Sequence, residues 1–150
     1  FLQWGKNVGN FVPGLNSRLT SSFSFQYSGQ NLPSADKISL TGPSAVRAFE
    51  PGVFSADQSA LMQLKWAKNY QTDYGSFGPY LFYDHAYGVR KTPGVKVKAQ
   101  LSGFGLGLSY AASKWIKVGL SYGLSQETQI GEFNKESQSL FLLSLESQVF

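Results

Sequence analysis

The chain contains no cysteine and a single histidine, His85. Disulfides and thiolate metal sites are thereby excluded, and a histidine cluster cannot be assembled. Charge is also scarce: charged residues make up 15% of the chain and the formal net charge is +4. The basic residues are scattered among strands and loops rather than gathered on a helix or arm, which argues against a nucleic-acid partner. No run reaches the roughly 20 apolar residues of a membrane helix. The least polar stretch, Leu101 to Ser113, is short and rich in glycine and serine. No Ser/His/Asp order, metal cluster or cleft-flanking carboxylate pair is visible, so the expectation is no catalytic site, no cofactor, no metal and no enzymatic activity. The glycines at 103, 105 and 107 alternate inside a strand with no helix following, which excludes a dinucleotide loop. The chain begins at Phe1 without a leader, so the expectation is a processed chain or part of a longer one.

What is abundant is aromatic and small: 12 Phe, 8 Tyr, 3 Trp and 16 Gly, with serine throughout. These residues alternate with period 2, the mark of strands with one apolar and one polar face. Leu19, Phe23, Phe25 and Tyr27 oppose Thr20, Ser22, Ser24, Gln26 and Ser28. Ala60, Met62, Leu64 and Trp66 oppose Ser59, Gln63, Lys65 and Ala67. Leu81, Tyr83 and Tyr87 oppose Gly78, Tyr80, Phe82, Asp84 and Ala86. The same pattern continues with Phe104 to Tyr110 against glycine, Ile116 to Leu124 against Gly and Ser, and Phe141 to Val149 against polar residues. The reading is about seven strands of about ten residues, over 1–12, 17–29, 59–70, 77–87, 98–111, 115–125 and 138–150. Short turns alternate with long loops at 30–58, 88–97 and 126–136.

A soluble β-sandwich binding module would fill its apolar faces with aliphatic residues and charge its outer faces. Here the polar faces carry Gly, Ser, Thr and Gln, and aromatics stand near strand ends. That is the pattern of a transmembrane antiparallel β-barrel, lipid outside and polar lumen inside. Trp4, Trp66 and Trp115 read as girdle or packing residues, and the small residues Gly103, Gly105 and Gly107 as room for a loop inside the lumen. Cysteine absence fits a protein that crosses the periplasm unfolded. Bacterial barrels close with an even strand count, and an open edge is not tolerated in hydrocarbon. The expectation is therefore that residues 1–150 form the C-terminal part of a larger barrel domain.

Residues 42–57 interrupt this regularity. They are too long for a hairpin turn, and they set Arg47 among Val46, Ala48 and Phe49. A loop that folds back on itself suits that pattern, its apolar flanks packing while the guanidinium reaches a buried carboxylate.

Val46-Arg47-Ala48-Phe49 resembles the Val-Arg-Gly-Tyr/Phe loop signature of the Omp85 superfamily. Leu40 to Phe49 and Ser55-Ala56-Asp57 are most similar to its two-partner secretion branch, the haemolysin secretion/activation transporters. A second motif, Phe82-Tyr83-Asp84-His85-Ala86, is similar to the family's Phe-x-Asp-x-Gly strand motif. The resemblance implies a barrel of about 16 strands in the outer membrane of a Gram-negative bacterium. It also implies that loop 30–58 enters the lumen and that Arg47 pairs with Asp84. The implied activity is export of an unfolded partner exoprotein. Other implied partners are outer-membrane lipid, lipopolysaccharide and the barrel assembly machinery. An Omp85-type insertase for barrel proteins is the nearest alternative.

Ala48 and Ala86 stand where the family pattern has glycine, and a Cβ there would be strained only if those sites require positive φ or close backbone contact, a departure that bears on the tip geometry rather than on the pairing. Phe150 resembles a C-terminal assembly signal but is out of phase with Val149 and its predecessors. Asp57 reads as loop support, and His85 falls on the face opposite Asp84. Arg90, Lys91, Lys96 and Lys98 suit either lipopolysaccharide phosphates or ordinary loop solvation.

Overall fold

The computed structural model describes residues 2–12, 17–111, 116–131, 133–134 and 137–147. The strands in chain order are β1 (Leu2–Val12), β2 (Ser17–Tyr27), β3 (Ile38–Ser39), β4 (Ser55–Ala56), β5 (Gln58–Lys68), β6 (Tyr70–Thr72), β7 (Gly75–Thr92), β8 (Val95–Ala111), β9 (Ile116–Ile130), β10 (Phe133–Asn134) and β11 (Ser139–Ser147). One antiparallel sheet runs β1-β2-β5-β7-β8-β9, with β6 extending the β5 edge of β7 and both β10 and β11 pairing β9. Seven lines of chain thus lie side by side, as the alternation predicts. A separate two-stranded ladder, β3–β4, lies within loop 30–58. The architecture is all-β.

Register turns the period-2 pattern into two continuous faces. Leu19, Trp66, Leu81, Leu106, Tyr122 and Phe141 form one cross-strand row. All six are exposed, Leu106 to 58%. The adjacent row is Thr20, Lys65, Phe82, Gly105, Gly123 and Leu140, and it faces the other way. We call the first side outer and the second inner. The outer side is a broad apolar surface, far larger than the isolated exposed apolar residues of an ordinary monomer.

The hydrophobic core lies on the inner side and is built mainly by the loop. Leu40, Val46, Phe49 and Phe54 from the loop are buried with Leu61, Ala86, Ala99 and Leu101 of β5, β7 and β8. Burying each large side chain contributes about 1.5–3 kcal/mol, which offsets the entropy of ordering a long connection. The loop is also bonded internally: Leu40 N–H donates to Phe54 O at 2.9 Å and Val53 N–H to Thr41 Oγ1 at 3.0 Å. Its stalk rests on Gly88, where a Cβ would meet Leu40 Cδ1 and, at 2.9 Å, Ala56 Cβ.

Two of the expected loops are different. Residues 88–97 are a hairpin, because β7 continues to Thr92 and β8 starts at Val95. Alternation persists through the basic residues: Val97, Ala99 and Leu101 pack toward the core while Lys96 and Lys98 are exposed. Pro93-Gly94 forms the turn, with Gly94 at φ 81 as a type II turn requires. Residues 126–136 are also largely paired, since β9 continues to Ile130 and β10 follows a turn at Gly131. A β-bulge places Gln126 between the Ser102–Glu127 and Gly103–Ser125 pairs. One extra residue reverses the side-chain phase. Ile130 consequently joins the core, whereas Leu120 and Tyr122 face outward. Trp115 and Phe150 lie outside the described residues.

If Gly88 seats the stalk, Gly88→Val should expose the loop to trypsin at Lys37 and Arg47 while leaving the sheet's circular dichroism intact. A cleavage pattern identical to the parent's would refute that packing.

Candidate functional site

One row of the inner face, Gln63 on β5, Asp84 on β7 and Gly103 on β8, receives three residues of the loop tip. Gln63 Nε2 donates to Ala45 O at 2.8 Å. Asp84 takes Arg47, and Gly103 takes Ala48.

Asp84 is completely buried, and a carboxylate there needs every acceptor site satisfied. Arg47 meets that requirement in two ways. Its Nη2 donates to Asp84 Oδ1 at 2.6 Å and its Nε to Oδ2 at 2.9 Å, the planar fork that guanidinium offers a carboxylate. Its backbone N–H adds a third bond to Oδ2 at 3.0 Å, which fixes the main chain of the tip as well as the side chain. Nη2 also donates to Leu64 O at 3.3 Å. The guanidinium lies 4.2 Å from the ring centre of Phe82, two residues before Asp84 on the same strand face. The Arg47 side chain keeps 15% of its surface, and its open edge faces a cavity of about 440 Å³ lined also by Lys65, Tyr80, Lys117 and Ser121. Lysine could supply the charge but not the fork.

The motif residues around this pair each have a place. Val46 and Phe49 are buried on either side of Arg47 and pack in the core with Ala86. Ala48 fits a seat of two glycines. A Cβ on Gly103 would collide with the Ala48 methyl, and one on Gly123 would come within 3.0 Å of Ala48 Cα. Ala86 likewise packs within the core. The extra methyl at 48 is accommodated by the strands. Only part of the glycine series serves the loop. Gly105 and Gly107 make room for the rings of Phe82 and Tyr80, their partners across β7.

Asp57 is far from this cluster in the fold, at the root of the loop, and is as completely buried as Asp84. Its Oδ1 accepts the Leu32 N–H at 2.6 Å, its Oδ2 accepts the Lys91 N–H at 2.7 Å, and Lys37 Nζ lies 3.5 Å from Oδ2. Its own N–H donates to Val89 O at 2.9 Å. Lys91 Nζ meanwhile donates to Ser28 O and Gly29 O, so the end of β7 holds both limbs of the loop. Burial pushes the Asp57 carboxyl up, but the two amides and the Lys37 ammonium outweigh it and hold the carboxyl below its ordinary value of 3.8. Gln26 adds a further tie, Nε2 to Asp36 O at 3.0 Å. Asp57 reads as loop support in the sequence, but its partners are not marked locally, since they come from residues 25 and 34 positions away. Gln63 was visible as a polar inner-face residue, but not its bond to the tip.

Replacing Asp84 by Ala leaves a largely buried guanidinium without its acid and should cost about 3–5 kcal/mol of loop docking, read as protease cleavage at Arg47. Preserved protection would show the pair to be dispensable. A second outcome concerns pH. A carboxyl with a depressed folded value contributes stability that is present above its unfolded value and lost as pH falls through the folded one. Root packing should therefore loosen below pH 3.8, and Asp57→Asn should remove that component of the acid sensitivity. An acid profile unchanged by Asp57→Asn would assign the effect elsewhere.

Residues 6–110 match the family model described as haemolysin secretion/activation protein ShlB/FhaC/HecB. Nothing among curated proteins and nothing among solved structures matches the chain. The matched segment includes the loop, Arg47, the root at Asp57, and β7 with Asp84. It covers more than half the sequence, and the chain belongs to the haemolysin secretion/activation protein family ShlB/FhaC/HecB, a secretion family rather than an enzyme family.

Proposed function

We propose that this chain is the C-terminal part of an outer-membrane β-barrel of the Omp85 superfamily that exports an unfolded partner exoprotein in two-partner secretion from a Gram-negative bacterium. The observation that carries this reading is the division of the sheet. Its outer face is apolar across six adjacent strands, and its inner face holds a long loop pinned by a buried ion pair. An outward apolar face suits lipid, and a polar inner face suits a lumen. The edges formed by β1 and β11 have no partner strand among the described residues. In hydrocarbon such edges require further strands, in keeping with a larger barrel.

In this reading the loop shapes the export path. Transport proceeds without nucleotide hydrolysis, and folding of the exoprotein outside supplies its direction. The Arg47–Asp84 pair holds the tip against the wall and thereby sets the opening left beside it. A buried pair of this kind gives position more than net stability, since desolvation offsets much of the attraction.

In the complete transporter, Arg47→Asp and Asp84→Arg should each abolish export of the partner exoprotein while leaving outer-membrane levels near those of the parent. The double reversal should restore a large part of it. Export unaffected by single variants that assemble normally would overturn the role of the latch, and a parent recovered outside the outer-membrane fraction would overturn the reading itself.

A further inference from the structure

The four cations of the β7–β8 hairpin have separate roles. Arg90 turns inward, its guanidinium 4.8 Å from the Phe54 ring centre, and belongs to the loop packing. Lys91 spends two donors on Ser28 O and Gly29 O, at 2.8 and 3.0 Å. Lys96 and Lys98 are exposed on the outer side, because Val97, Ala99 and Leu101 between and beyond them pack into the inner core.

Register concentrates these charges. Lys96 stands directly opposite Lys91, and Lys98 opposite Val89. Like charges directly opposed destabilise a strand pair unless an anion joins them. The Cα atoms of Lys96 and Lys98 are about 7 Å apart along one strand face, so the two ammonium groups can each meet a phosphate of their own. Among residues whose side chains are described, the acids are Asp36, Glu50, Asp57, Asp73 and Asp84, and none lies on this outer rim. Toward the middle of the sheet the same side becomes apolar. Phe23, Phe25, Met62, His85 and Tyr87 line a shallow groove of about 400 Å³, with Tyr87 four residues before Lys91. Ammonium groups thus stand beyond an aromatic rim and an apolar groove, at the end of the sheet that carries loop 30–58.

We propose that this rim is a binding site for lipopolysaccharide, with its phosphorylated headgroup on Lys96 and Lys98 and an acyl chain along the Phe23–Tyr87 groove. The proposal rests on the outer-membrane reading above, with the loop end of the sheet at the outer leaflet, since long loops of such barrels lie outside and the short turns in the periplasm. A diphosphorylated headgroup matches two separated ammonium groups beside an apolar surface. A phospholipid carrying one phosphate leaves one of them uncompensated.

The test uses the complete transporter in detergent, with native mass spectrometry of added lipid A, its dephosphorylated form and phosphatidylglycerol. The parent should retain phosphorylated lipid A, and Lys96→Gln/Lys98→Gln should weaken that binding at least roughly tenfold, on the scale of one headgroup attraction per lysine. Lys68→Gln, on the outer side at the opposite end, should have no effect. Equal binding by parent and double variant would overturn the site. So would equal retention of dephosphorylated lipid A or of phosphatidylglycerol, which would leave only generic lipid contact. Because the assay is done in detergent, it is independent of membrane fractionation, where failure of the outer-membrane reading would appear.

Discussion

A carboxylate with no access to water must have its charge answered by the protein, and Asp84 sets that requirement at the centre of the inner face. The partner comes from a loop 37 residues earlier in the chain, so satisfying one side chain determines the course of a whole segment. Side-chain and main-chain donors of Arg47 both reach the same acid, which fixes the direction of the backbone at the tip. The apolar neighbours Val46 and Phe49 then have only one way to pack, and the core forms around them.

The loop is held at two acids with different neighbours. Asp84 belongs to the wall and grips the tip, whereas Asp57 belongs to the loop and grips the wall. Between them the stalk packs on the glycine at 88. Polar anchors give position and apolar surface gives most of the energy, as expected where buried ion pairs roughly break even. The Asp84 end borders an open cavity; the Asp57 end is closed by strand ends and main-chain amides.

The strands and their faces were legible because alternation with period 2 is unambiguous when one face is aromatic and the other glycine, serine or glutamine. The Arg47–Asp84 pairing was legible through the two motifs. Residues 88–97 misled because five polar or turn-forming residues, Arg90, Lys91, Thr92, Pro93 and Gly94, hide two strands that continue up to the turn, with Val89 on the outer side and Val97 on the inner. The bulge at Gln126 was invisible, since nothing in the local sequence marks a single inserted residue. The alanines at 48 and 86 seemed out of place beside the family pattern, yet their fit depends on what lies opposite. In three dimensions the missing glycine at the tip is matched by glycines at 103 and 123 on the wall.

That glycine seat also has a consequence in time. The tip of the loop, near residue 48, rests on positions from Gln63 to Gly123, contributed by β5, β7, β8 and β9. Local ladders can close as soon as neighbouring strands meet, but a contact reaching this far along the chain waits until the intervening segments are in place. The loop is therefore made early and housed late. During assembly it marks the moment when the last wall of its seat arrives, and a sheet that stopped one strand short would leave its apolar tip without a home.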